Sequence, residues 1–119
     1  MKLRILYRGH MPGPYCPAWA IDCDAPAMFA TRDPELAAQH DRRVERIEID
    51  HINARVLKHG TAAFRALDGR ASARTPRQRV ERIIDLARGT WDVVWFREPD
   101  VGVAILEPRV IVDLGEMTL

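Results

Sequence analysis

Three short segments of this 119-residue chain carry side chains whose type and spacing suit them to chemistry. Tyr7-Arg8-Gly9-His10 ends an apolar stretch, and a guanidinium followed by glycine can clamp a phosphate or a ribose edge at close range. The competing reading of Arg8 is a strand-end arginine paired with a carboxylate. The second segment sets Phe29 and Thr31 just ahead of Asp33-Pro34, so that a ring and a hydroxyl lead directly into a helix start. The third sets Glu98 and Asp100 between two apolar runs, where an acid can project into a cleft, although hairpin-loop acids also serve as solvated turn residues.

The elements that must position these groups follow from periodicity and punctuation. Residues 3–7 read as a strand ended by Gly9. Residues 10–26 hold Pro12, Gly13, Pro14, Pro17 and Pro26, which exclude a lasting helix or central strand, and place Tyr15 and Trp19 in a long loop of the kind that often carries function. Residues 28–31 read as a short extended piece. Asp33 then caps a helix over residues 34–41, with Glu35 complementing its dipole. Residues 44–50 alternate apolar and charged, the period of a half-buried strand. A turn and a short extended segment follow over residues 52–57, and a helix over residues 61–66 is ended by Asp68-Gly69.

The best-marked element begins at Thr75, with Pro76 in the first turn and Gln78 completing a capping box. Val80, Ile83, Ile84 and Ala87 recur at helical spacing, and Gly89 stops the helix. Residues 91–96, 101–106 and 110–114 read as strands separated by Pro99 and Pro108. Helices in the middle followed by a run of strands predict an α+β fold rather than an alternating βαβ one.

Composition narrows the function classes. The length is that of one domain, residues 1–119, and 47% hydrophobic content is ordinary for a globular chain. Eighteen Lys and Arg against seventeen Asp and Glu leave a net charge of +1. Nucleic acid is therefore not implied as an obligatory partner, because phosphate binding usually needs a basic excess. Arginines cluster between Arg65 and Arg82 while acids dominate beyond Arg97, which marks either a basic docking face or a solvated helix face. No apolar run approaches the roughly 20 residues of a membrane span, and the first apolar stretch is interrupted by Arg4, too short for a signal peptide. Cys16 and Cys23 are too few for a zinc site; they read as reduced thiols, or as a loop staple in an oxidising compartment. The expectation is a cytoplasmic domain with no metal site.

Taken in order, the three segments resemble the ADP-ribosyltransferase superfamily, closest to the compact toxin-like domains found in phage polyvalent proteins and bacterial toxins. The resemblance rests on Tyr7-Arg8-Gly9, on Phe29-Ala30-Thr31-Arg32-Asp33 with Ala37, on Asp92-Val93-Val94, and on Ala104-Ile105-Leu106-Glu107-Pro108. It implies a split β-sheet core with a few short helices and NAD as the substrate. The chemistry implied is mono-ADP-ribosyl transfer to an unidentified macromolecule, or NAD glycohydrolysis, with an inhibitory partner possible. On this resemblance Arg8 contacts the phosphate or nicotinamide-ribose side, and Thr31 supports the nicotinamide pocket. Tyr7, Gly9, His10 and Phe29 line the cofactor site; apart from any family motif, the aromatic rings of Tyr15 and Trp19 in the Pro-rich loop are suited to stack on a ring of the cofactor. The family's catalytic glutamate falls near Gly102 in this chain. The nearest acids, Glu98 and Asp100, stand two to four residues earlier and take its place as candidates. The alternative is a catalytically degenerate domain of the same fold that binds a nucleotide or a protein.

Overall fold

Alternation and pairing sort the strands into two sheets. A computed structural model describes residues 3–9, 27–39 and 41–119. In chain order the elements are β1 (Ile5–Gly9), β2 (Met28–Ala30), α1 (Pro34–Ala37), β3 (Arg43–Ile49), β4 (Val56–Lys58), α2 (Ala62–Arg70), α3 (Pro76–Ala87), β5 (Val93–Trp95), β6 (Val103–Ile105), a 3-10 turn (Pro108–Val110) and β7 (Ile111–Thr118). The result is a mixed α+β domain. One sheet has the order β1-β3-β7, antiparallel throughout; the other has the order β2-β6-β5-β4. Within the second sheet only β4 and β5 run parallel, because α2 and α3 carry the chain back between them.

Among the described residues one isolated bridge joins the edges of the two sheets. The Tyr7 N–H donates to the Thr31 carbonyl at 2.7 Å, and the Thr31 N–H donates to the Tyr7 carbonyl at 2.8 Å. This bridge ties the free edge of β1 to the residue just past β2. It also brings the first two chemically interesting segments side by side.

Burial follows from the period of two along each strand. Leu6, Ile47 and Ile49 of the first sheet pack with Met28, Ala30, Val93, Val103 and Ile105 of the second, forming one core between the sheets. The alternate residues Leu57, Val94, Phe96, Ala104 and Leu106 face the other way and pack with Ile83, Ile84 and Ala87 of α3. The second sheet is thus covered on both faces, which is why β5 and β6 read as unbroken apolar runs.

Helix boundaries follow local chemistry, with two corrections. Thr75 Oγ1 accepts from the Gln78 N–H at 3.1 Å, and Gln78 Oε1 accepts from the Arg74 N–H at 3.0 Å, so the reciprocal cap closes one residue earlier than expected. The first helix stops at Ala37 instead of residue 41. α2 runs through Asp68-Gly69 to Arg70, because glycine in an ordinary helical conformation weakens a helix without ending it. At the end of the chain the last strand extends past residue 114 to Thr118; Gly115 pairs with Arg46, and β3 supplies partners along nearly the whole length. The sixth strand is shorter than expected, since Val101 and Gly102 belong to the preceding turn. Among the described residues no helix is long and apolar enough to cross a membrane.

Candidate functional site

The end of β1, the residues around the end of β2, the C-terminal end of α1 and the loop between β5 and β6 line an open cleft of about 250 Å³. Its walls include Tyr7, Arg8, Gly9, Phe29, Thr31 and Asp100. A Cβ on Gly9 would stand 3.2 Å from the Ala37 carbonyl oxygen, so the glycine lets α1 sit close over the strand end. Thr31 Oγ1 accepts from the Asp33 N–H at 3.1 Å, and the Asp33 carboxylate accepts from the Glu35 N–H at 2.9 Å. The Thr31 oxygen is thereby engaged in the entry to α1, leaving its O–H to donate.

Arg8 is half-buried, and its guanidinium makes no hydrogen bond or ion pair to any described residue. The ordinary strand-end ion pair that competes with a ligand role is therefore not formed there. Directly across on β3 stands Glu45, 4% exposed, whose side chain shares a face with Arg8 because directly opposed residues do. Sequence reading missed Glu45, yet the signal was present: it stands at the strand period of two from Ile47 and Ile49, on the face they occupy.

The loop from Phe96 to Gly102 is held by its own backbone. The Val101 and Gly102 N–H groups both donate to the Glu98 carbonyl, at 3.1 and 2.9 Å, and the Phe96 N–H donates to the Gly102 carbonyl at 3.0 Å. Gly102 has φ +74, and a Cβ there would lie 2.4 Å from the Ala30 carbonyl oxygen. Position 102 therefore has no room for a side chain. The loop instead presents Asp100 to the cleft, while Glu98 lines a larger groove next to it.

That groove, of about 900 Å³, runs between α2, α3 and the same loop. It shares Phe29, Asp100 and Val101 with the cleft. Phe64 and Phe96 meet edge to face at its apolar side, ring centroids 6.0 Å apart. Arg65, Arg77, Arg79 and Arg97 also line it. Sequence reading left this groove unseen, because its walls come from four separate segments.

Two further charged clusters stand out. Asp92, fully buried at the start of β5, accepts from the Arg55 backbone N–H at 2.8 Å and from the Arg55 guanidinium at 3.0 Å, and also pairs with Arg109. Burial opposes its ionisation, but the Arg55 hydrogen bonds and the Arg109 and Arg55 charges outweigh that and hold its pKa below the ordinary value. Trp95 has Arg32 at 5.0 Å and Lys58 at 4.7 Å from its ring centroid, with His59 edge-on to it.

Of the residues singled out in the sequence, Tyr7, Arg8, Gly9, Phe29, Thr31 and Asp100 come together around one cleft, and Glu98 stands apart in the groove. His10, Tyr15, Trp19, Cys16 and Cys23 lie outside the described residues. Among the described residues no group of three or more His, Cys, Asp or Glu side chains is arranged to hold a metal ion. Comparisons with protein-family models, with curated proteins and with solved structures find no match to this chain.

Proposed function

We propose that the chain is a compact, toxin-like ADP-ribosyltransferase-fold domain that takes NAD as substrate, acting as a mono-ADP-ribosyltransferase or NAD glycohydrolase. One observation carries this reading. Arg8, Thr31 and Asp100 come from distant parts of the sequence and line a single cleft where two sheets meet, and Arg8 stands there without a protein partner among the described residues. A guanidinium left unpaired beside a cleft is suited to an anionic ligand. In this scheme Arg8 holds the phosphate or the nicotinamide ribose, and the Thr31 hydroxyl supports the nicotinamide end. The Asp100 carboxylate steadies the positive charge that develops on the ribose as the glycosidic bond breaks, an electrostatic role suited to a fixed acid. Glu98, on the groove side, is the second candidate acid.

The test is nicotinamide release from NAD. Wild type is expected to release it, and Arg8→Ala to lower the rate about a hundredfold, the usual scale for losing one preorganised donor. Asp100→Asn is expected to cost as much, and Glu98→Gln less. A rate unchanged in Arg8→Ala overturns this site. A second reading, a degenerate binding domain, is favoured by Gly102, since the backbone at the family's glutamate position leaves no space for a side chain. NAD binding that depends on Arg8, without nicotinamide release, is its signature.

A further inference from the structure

We propose that the groove between α2, α3 and the β5–β6 loop binds a nucleoside phosphate. Its walls carry both signs of charge. Arg65 and Arg77 stand with Asp68 on the helix side, and Arg97 stands with Glu98 and Asp100 on the loop side. Among the described residues the exposed Arg65 has only the Gly60 carbonyl as a partner, at 3.3 Å, and Arg97 makes no ion pair, so both cations are available to an anion. Arg77 and Arg79 differ, being paired with Glu81 and Asp68. Between the two walls lie Phe64 and the exposed Phe29, the latter 42% accessible where the groove opens into the cleft.

A nucleotide matches this arrangement part by part. Its phosphate meets arginine, its flat ring lies against phenylalanine, and its hydroxyl and amino groups donate to the carboxylates. An acidic peptide matches only the arginines and is repelled by Glu98 and Asp100. The volume is also that of a ligand pocket, for which roughly 300–1,000 Å³ is usual. The overall charge of +1 does not oppose this assignment, because the cations it needs are local.

Resting on the reading of the preceding subsection, a nucleotide held here is the acceptor. Its oxygen or nitrogen nucleophile forms a bond to C1′ of the ribose as the bond from C1′ to nicotinamide breaks. The bonding pair leaves with the pyridine nitrogen, giving neutral nicotinamide, and the nucleophile's proton passes to the carboxylate of Asp100 or Glu98.

The binding claim is tested without NAD, so its failure and the failure of NAD cleavage are separate results. Calorimetry with 5′-AMP and fluorescence anisotropy with a labelled single-stranded hexanucleotide are compared across wild type, Arg65→Glu, Arg97→Glu and Phe64→Ala. Both arginine variants change exposed residues and are expected to fold, which circular dichroism checks; each should weaken binding at least about tenfold. Arg8→Ala is expected to leave 5′-AMP affinity within about twofold, placing the nucleotide in the groove. Equal affinity for both probes identifies a free nucleotide, and a hexanucleotide bound much more tightly, with strong salt dependence, identifies a nucleic-acid strand; either supports the proposal. It is overturned if neither probe binds, if both arginine reversals leave affinity unchanged, if Arg8→Ala alone abolishes binding, or if only a glutamate-rich control peptide binds.

Discussion

Arg8 and Gly102 show how much depends on single residues here. An arginine on the sheet face normally finds a carboxylate, and Glu45 stands directly opposite; even so, the Arg8 guanidinium is unpaired among the described residues and lines a cleft. Gly102 decides which acid can serve that cleft. Its positive φ and the Ala30 carbonyl beside it keep the β5–β6 loop close to β2, and that closeness presents Asp100 to the cleft. Gly102→Ala must strain the backbone and displace Ala30, so it is expected to destabilise the fold by about 2 kcal/mol or more, above the usual cost of a glycine replacement at positive φ. Urea unfolding measures this, and an unchanged midpoint would show that the loop yields without cost. The same argument predicts that Gly102→Glu fails to install a working acid at that position.

The elements divide into those set by local chemistry and those set by pairing. α3 carries its own start signal in Thr75-Pro76 and its own buried face in Ile83, Ile84 and Ala87, and it is the element most completely legible from sequence. α2 is less so. Its N-cap, Thr61, is clear, but Asp68-Gly69 resembles a stop and lies inside the helix. Gly69 has open space where a Cβ would be, and its φ is not positive. Gly69→Ala is therefore expected to raise stability by about 0.5–1 kcal/mol, opposite in sign to Gly102→Ala. Denaturant melts of the two variants side by side check both signs. β7 shows pairing overriding composition: its polar end continues as strand past residue 114 because β3 extends alongside it.

Across the whole molecule, Asp92 joins parts far apart in sequence. Its carboxylate binds Arg55 just before β4 and Arg109 in the 3-10 turn, while its backbone carbonyl accepts from the Leu106 N–H at 2.8 Å. The staple fixes the end of the second sheet remote from the cleft. Because the Asp92 pKa is depressed in the folded state, its contribution is complete above the unfolded carboxylate value of about 3.9 and is lost as pH falls through the folded value. Asp92→Asn is expected to lose about 2–3 kcal/mol near neutral pH, the scale of charge-assisted hydrogen bonds, since both arginines can still reach water. Its stability should also vary less than that of wild type below pH 4. Unfolding free energies at pH 7 and pH 3 decide the point, and parallel losses in both proteins would remove Asp92 from this role.

Sequence alone determined what depends on neighbours within a few residues. The cap at Thr75, the helix start at Asp33-Pro34, the alternation of β3 and the apolar runs of β5 and β6 all follow from local backbone chemistry and periodicity. It also marked Arg8, Thr31, Glu98 and Asp100 as residues fit for a site. Tertiary structure alone decided that Arg8, Thr31 and Asp100 share a cleft while Glu98 faces the adjoining groove, and that position 102 admits no side chain. Those outcomes depend on distances between segments far apart in the chain. They are set by the Tyr7–Thr31 bridge and by the pairing of β2 with β6, and no local spacing encodes them.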